Sequence, residues 1–321
     1  KKLLSASLKC ISQCTSKINV FKFFRKNKIP TPRTYRIPST RKKLDVDFIL
    51  QNFKKLNRPI IIKPEVGVGA ESIYYFEGEN EILNFFRDFN EYTELGRDYI
   101  LQEFIHGRDL SLSLIGRSQI SKSQISNPFI LSINTQDVNI VNQANISEYL
   151  GGTTPVENIE ELIEKIDRIL EKVEFKGFNG YFGIDFISTE NASFSFIEIN
   201  PRLTTSYLGV RNVINYNCAE LIYKSKMNIF EPVDLEFLNF SQFSRIELIS
   251  KNINSLKRLD EQFLSKLLRE IPELVTPPIS FNKSNQYSCF IATKTKDSHS
   301  SKKRMDEIFL KFEKLNFKVV K

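Results

Sequence analysis

Long hydrophobic runs are missing from this chain: no stretch of about 18 apolar residues occurs, which excludes a membrane-spanning helix. The first residues, KKLLSASLKCIS, also lack the apolar stretch of an export signal, so a cytoplasmic location is expected. Histidine is scarce, with 2 residues, and the 4 cysteines are scattered. Cys10 and Cys14 sit one helical turn apart, but only His106 and His299 are there to join them, and neither is near in sequence. Structural zinc and disulfides are therefore not expected, and the thiols read as reduced and partly buried. No Ser/His/Asp or Cys/His constellation is evident, and there is no repeat or low-complexity segment. Dense basic blocks are lacking too. Arg41-Lys42-Lys43 and Lys302-Lys303-Arg304 are short and flanked by acidic or helical sequence, so the formal charge of +8 suits anionic ligands without selecting nucleic acid. The 27 phenylalanines fall in apolar patterns and read as core, not as a base-stacking surface.

What is present is a chain of 321 residues, 41% apolar, long enough for two or three lobes around substantial cores. Helical spacing predicts helices over Lys17 to Lys28, Asp45 to Leu56, Glu79 to Phe89 and Glu157 to Glu174, with another beyond Cys218. Ile29-Pro30-Thr31-Pro32 must be extended. Pro59 to Lys63 and Ser72 to Phe76 read as a hairpin with a long glycine-containing loop. Tyr99 to Phe104 and Leu110 to Ile115 read as strands around His106-Gly107-Arg108, with shorter strands near Phe129 to Ile133 and Val138 to Val141. This first half is expected to form one mixed α/β lobe, followed by Tyr149 to Pro155 as a flexible connector. Tyr181 to Ile187 and Ser193 to Ile199 form a second hairpin.

That second hairpin carries chemistry. With the turn between Asn191 and Ala192, residues whose numbers sum to 383 face one another, which sets Asp185 opposite Glu198. Alternation puts Gly183, Asp185, Glu198 and Asn200 on one face and Phe182, Ile184, Phe186, Ile197 and Ile199 on the other. Opposed like charges call for a compensating cation. Magnesium, which takes one or two carboxylates plus substrate phosphates, meets that need, with the Asn200 amide oxygen completing the set. The alternative is an acidic, solvent-facing side of an edge hairpin.

Two other segments matter. Lys63 ends an apolar strand directly before Pro64-Glu65-Val66-Gly67-Val68-Gly69-Ala70, delivering an ammonium and free backbone N–H groups to one place. A bare G-x-G also occurs in plain hairpin loops. Leu101 to Asp109 offers a strand, a tight turn and an acid just beyond it, a layout that suits a purine edge and ribose hydroxyls and equally an ordinary strand with surface acids.

The order of these pieces resembles the ATP-grasp superfamily: Ser16-Lys17 opening a helix, IPTP, strand-Lys63-glycine loop, QEFIHGRD, then GYFGIDF paired with FIEINPR. The similarity runs over roughly Thr15 to Val213. It implies an α/β chain of α+β type, with two α+β lobes clasping MgATP and the domain that normally precedes them reduced or absent. In that layout 1–44 is a helical segment and linker, 45–115 the small lobe with the glycine loop, and 116–321 the C-terminal lobe with the metal site. By resemblance, Lys17 and Lys63 serve the nucleotide phosphates, and the loop with Gly67 and Gly69 is a mobile cover. Gln102 lies beside the adenine amino group, Glu103 and Ile105 give backbone contacts, Phe104 lines the strand and Asp109 holds the ribose. Asp185, Glu198 and Asn200 bind Mg2+, with Mn2+ as a substitute, and Arg202 stabilises the acyl phosphate. NPRLTTSYLG and YLGGTTP look like the tyramine–glutamate ligase branch of methanofuran-type cofactor synthesis. The implied activity is ATP-dependent, ADP-forming carboxylate–amine ligation on small molecules, glutamate with an aromatic amine among them. Neither nucleic acid nor membrane is an expected partner; a homodimer, or a partner chain supplying the leading lobe, is compatible. The competing reading is a MgATP-binding protein that is non-catalytic or partner-dependent.

Overall fold

The computed structural model describes residues 5–40, 43–67, 72–88, 97–117, 127–139, 148–171, 173–191, 193–251, 261–280 and 285–320. Helices α1 (Leu8–Thr15) and α2 (Lys17–Lys26) are each opened by a serine, Ser7 and Ser16, whose hydroxyl accepts from a backbone N–H of the first turn. Their apolar side chains Cys10, Cys14, Val20 and Phe24 enter the same core as Phe196 and Ile199, and the Phe24 and Phe196 rings lie 6.1 Å apart. Full burial of a phenylalanine contributes about 1.5–3 kcal/mol. The helix carrying Lys17 is thereby fixed to the acidic hairpin.

Strand β1 (Thr34–Arg36), the short β2 (Ser39–Thr40) and β3 (Lys43–Leu44), α3 (Val46–Leu56), β4 (Ile60–Pro64), β5 (Tyr74–Phe76), α4 (Glu79–Asp88) and β6 (Tyr99–Glu103) follow. Asp45 caps α3 by accepting from Phe48 N, and Asn57 ends it in the left-handed region. The first sheet has the order β1-β6-β4-β5. Ile60 opposite Phe76 establishes the expected hairpin, and Ile49, Ile60, Ile62, Phe76, Ile82 and Leu101 fill the core below it. β4 lies between two neighbours and all five of its residues are buried, which takes the Lys63 ammonium into the interior.

The second sheet, order β12-β11-β7-β8, is made by β7 (Arg108–Gly116), β8 (Phe129–Thr135), β11 (Gly180–Ser188) and β12 (Phe194–Asn200). The strand Leu110 to Ile115 thus belongs here, because β7 pairs along its length with β11; a small lobe drawn as 45–115 splits it from its own sheet. Between these strands come β9 (Asp137–Asn139), β10 (Glu148–Thr154) and α5 (Ile159–Leu170), and after them α6 (Tyr207–Val213) and α7 (Cys218–Met227).

Tyr149 to Pro155 is not a connector: its first six residues lie in β10, paired with β9 and with β13 (Ser241–Ser250). Its glycines serve close approach. A Cβ at Gly152 would stand 2.0 Å from the Thr135 carbonyl oxygen, and Gly151 holds φ at +137°. With α8 (Glu261–Glu270), β14 (Ile279–Ser280), β15 (Gln286–Ala292), α9 (Ser298–Lys314) and β16 (Phe317–Val320), the C-terminal segment completes a third sheet, order β14-β15-β13-β10-β9, with β16 on β13. Leu248, Ile291, Ile308 and Phe312 are at its core. The strand pairs are antiparallel, as the α+β expectation requires.

Candidate nucleotide and metal site

The acidic hairpin has the register derived from its turn: Gly183 faces Asn200 and Asp185 faces Glu198. A bulge then intervenes, since Phe186 pairs with Phe196 and leaves Ile197 as the extra residue. That insertion re-aims Ile197, which lines the cleft instead of joining Phe182, Ile184 and Ile199 in the core. Gly183 is required by proximity, because a Cβ there would lie 2.6 Å from Thr204 Cγ2.

Asp185 is held from two sides. Gln136 Nε2 donates to its Oδ1 at 3.0 Å and Asn200 Nδ2 to its Oδ2 at 2.8 Å. Burial, and then the facing Glu198, push the Asp185 carboxyl up to about 7 against the two amide hydrogen bonds. Lys17 Nζ stands 3.8 Å from Glu198 Oε1 and donates to the Gly67 carbonyl at 3.3 Å. Lys17 therefore ties the start of the glycine loop to the acidic strand. Gly69 lies outside the described residues.

The Lys63 ammonium is buried and donates to Gln102 Oε1 at 2.9 Å, while Gln102 Nε2 donates to Thr34 Oγ1 at 2.8 Å. Desolvation lowers Lys63 to about 8, and the nearby Lys17 pushes the same way, against the attraction of Glu198 and Asp185. Gln102 therefore orients Lys63 within the protein. The Glu103 carboxylate points away to Arg33 at 3.0 Å and Arg58 at 3.2 Å, leaving only its backbone for a ligand. The Glu103 N–H is given to the Arg33 carbonyl and the Phe104 N–H to the Pro59 carbonyl. Phe104 packs edge-on against Tyr75 and His106.

Lys63, Gln102, Glu103, Phe104, Ile105 and Asp109 line one cavity together with Asp185, Glu198, Asn200 and Arg202. Burial raises the Asp109 carboxyl above its ordinary value. Arg202 is turned onto its own loop, donating to the Leu203 carbonyl at 3.1 Å and the Asn200 side-chain oxygen at 3.4 Å. A second cavity, with Cys14, Gly67, Arg97 and Asp98 in its wall, meets the first at Glu198, Asn200 and Arg202.

Several residues of the site have no role assigned from the sequence, although Tyr149 and Thr204 to Ser206 fall within YLGGTTP and NPRLTTSYLG. Gln136 reaches it from the link between β8 and β9, Tyr149 from β10, and Thr204 to Ser206 from the loop after β12. Burial, and then Asp185, raise the Tyr149 phenol, which is hydrogen-bonded to Thr205. Glu65 is the most consequential omission. Its buried Oε1 accepts from Ser16 Oγ and from Arg36 at 2.7 Å, its backbone oxygen accepts from Lys17 N, and its Oε2 has no partner among the described residues. One carboxylate thus joins the cap of α2 to the strand end that carries Lys63. Its place two residues after Lys63 was the available clue.

Among the described residues no three His, Cys, Asp or Glu side chains cluster as ligands, so an all-protein metal cage is not built here. Two opposed carboxylates and the Asn200 amide oxygen put hard oxygen donors on adjoining strands, with Lys17 and Lys63 close by. That donor set fits magnesium, which completes its shell with phosphates and water.

The chain matches the family model described as "ATP-grasp domain" over residues 14–206. It is 33% identical over 142 residues to the tyramine–L-glutamate ligase of Methanocaldococcus jannaschii, a stretch covering 44% of this chain and 39% of that enzyme. The Methanocaldococcus fervens counterpart is 30% identical over 142 residues, covering 44% and 41%. The matched stretch thus spans about two fifths of the curated relatives' length. Among solved structures, the biotin carboxylase domain of Hydrogenobacter thermophilus 2-oxoglutarate carboxylase, in complex with MgADP, ADP and bicarbonate, superposes with a TM-score of 0.70 at 15% identity, covering 99% of this chain and 69% of that one. The L-amino acid ligase of Bacillus licheniformis gives 0.63 at 13%, covering 97% and 73%. With more than half of its length matched by that model, and antiparallel sheets meeting around Lys63, Asp185 and Glu198, the chain belongs to the ATP-grasp family.

Proposed function

We propose that this protein is an ATP-dependent carboxylate–amine ligase that works through an acyl phosphate. The observation that carries the reading is the convergence, in one cavity, of a buried ammonium (Lys63), a pair of opposed carboxylates (Asp185 and Glu198), an exposed guanidinium (Arg202) and the strand Gln102–Ile105. In this reading Lys63 and Lys17 meet the nucleotide phosphates, Glu103 and Ile105 offer backbone groups to the purine edge, and Asp109 accepts from the ribose. Asp185, Glu198 and Asn200 hold magnesium, which supplies charge neutralisation at the phosphates. The cavity measures about 230 Å³, below the roughly 300–1,000 Å³ of small-molecule pockets. In this reading the lobes part to admit the nucleotide.

A substrate carboxylate oxygen attacks the γ-phosphorus in line; the bond to the β–γ bridging oxygen breaks, and ADP leaves. Arg202 swings from its loop contacts to the acyl phosphate, and the amine nitrogen attacks the acyl carbon. Phosphate departs, and the amine proton goes to solvent. The protein contributes position and preorganised charge, with no covalent catalysis. We place the acid and amine in the second cavity, because it adjoins the first at Glu198, Asn200 and Arg202. Glutamate with tyramine is the first pair to test, on the strength of the curated relatives.

The test is an ADP-release screen over paired carboxylates and amines with mass spectrometry of products. Acid- and amine-dependent ADP formation, with an amide of the summed mass less water, is the expected result. MgATP binding without ADP release for any amino-acid and amine pair returns the non-catalytic reading.

A further inference from the structure

Lys63 and Arg202 line the cleft just described and Lys17 stands against its Glu198, yet a second concentration of positive charge lies elsewhere on the seam between the lobes. A groove of about 1030 Å³ is lined by Arg25 and Lys28 from the end of α2, by Arg58 from the turn after α3, and by Lys165 and Arg168 of α5. Thr31, Thr189, Ser193 and Ser195 add hydroxyls, and among the described residues no carboxylate is in the lining. Its floor is fixed, because Phe196 N donates to the Pro30 carbonyl at 2.8 Å and Ile29 and Phe194 are buried.

The charge is poorly compensated. Among the described residues, neither Arg25 nor Lys28 has an ion-pair partner. Arg58 shares the single Glu103 carboxylate with Arg33. Lys165 and Arg168 pair only with Glu161 and Glu164, one helical turn away and exposed, contacts that yield readily in water. Capping of the α2 dipole accounts for Arg25 but not for cations arriving from α5 and from the small lobe. Lys28, moreover, holds φ at +57°, a conformation that favours glycine or asparagine, and so keeps a lysine at a strained position on the groove.

Three guanidinium forks, two ammonium groups and four hydroxyls around one space are the chemistry of clustered oxyanions. The aromatic in the wall, Phe194, is buried, which leaves no platform for stacking a nucleobase. We propose that this groove is a second anion site, which takes a compact molecule bearing several phosphate or carboxylate groups and is separate from the nucleotide cleft, with Ile105 in the wall of both.

The test is calorimetric titration of the full chain with inorganic tripolyphosphate and, separately, with citrate, after saturation with a non-hydrolysable MgATP analogue to block the Lys17 and Lys63 site. One equivalent of at least one anion should bind; tripolyphosphate alone assigns phosphate, and citrate alone assigns carboxylate. Arg25→Gln with Lys28→Gln, and Lys165→Gln with Arg168→Gln, should each weaken it by about tenfold or more, the size of two lost charge contacts screened by solvent, while affinity for the analogue stays within about twofold. Affinity should also fall steeply with salt. No binding of either anion to the blocked chain, or binding that neither double variant weakens, overturns the proposal. If the analogue itself does not bind, the ligase reading fails separately, and the titration is repeated on Lys63→Met to keep anions from the cleft.

Discussion

Replacing Glu65 by alanine separates positioning from bulk stability. The carboxylate accepts from Ser16 and Arg36 at one oxygen, and hydrogen bonds to a charged group contribute about 1.5–3 kcal/mol each. Arg36 is 56% exposed, so its share is screened and its guanidinium is rehydrated once the partner is gone. Among the described residues the other oxygen is buried without a partner, a cost of about 1–3 kcal/mol that disappears with the side chain. The net loss for Glu65→Ala should be about 1–2 kcal/mol by urea unfolding. That is less than the two bonds alone suggest. The functional effect runs through α2: with its cap loosened, Lys17 no longer sits against Glu198 and Gly67, and MgATP should bind about tenfold more weakly. Glu65→Gln keeps both acceptor bonds at Oε1 and should recover most of that affinity. An alanine variant that is less stable but binds MgATP as the wild type does would reduce Glu65 to a structural role.

Lys63 sets a pH dependence whose sign is fixed by its lowered value. The folded state holds this proton only to about pH 8, whereas the unfolded chain holds it to about 10.5. Between those values the unfolded state binds more protons, so this group makes stability rise with pH, and below 8 its contribution is flat. Lys63→Met should remove that rise, seen as a gap in melting temperature between wild type and variant that stays constant from pH 6 to 8 and moves in the wild type's favour above 8. MgATP affinity of the wild type should fall as pH rises past 8, when the ammonium is lost. Gly183→Ala drives a methyl to 2.6 Å from Thr204 Cγ2 and should cost about 1–3 kcal/mol, read by denaturant unfolding. Arg202→Gln should leave MgATP affinity nearly unchanged while lowering turnover on the order of 10²-fold, since the side chain is not engaged with the nucleotide strand.

The acidic hairpin was legible because strand alternation and a single turn assign every facing pair, and Asp185 opposite Glu198 follows from counting. Counting holds from Gly183 to Asp185 and is off by one on the turn side of the bulge at Ile197, where Phe186 pairs with Phe196, Ile187 with Ser195 and Ser188 with Phe194; nothing local marks the bulge, since an isoleucine suits either face. Helices with strong apolar stripes and caps, such as Val46–Leu56 behind Asp45, were equally readable. YLGGTT was misread because glycine signals both flexibility and close packing, and only the position of Thr135 and Phe243 decides between them. The assignment of Leu110 to Ile115 depended on a partner strand some seventy residues away, information that no local pattern holds. Gln136, Tyr149 and Glu65 escaped for the same reason: their partners lie far away in the sequence.

The most direct measurement of the central claim is ATP binding with and without magnesium for the wild type, Asp185→Asn and Glu198→Gln, by calorimetry. If the opposed carboxylates seat the ion at the phosphates, magnesium should strengthen ATP binding to the wild type, and each substitution should abolish most of that gain while leaving metal-free binding at Lys63 intact. Equal enhancement by magnesium in all three proteins would contradict it.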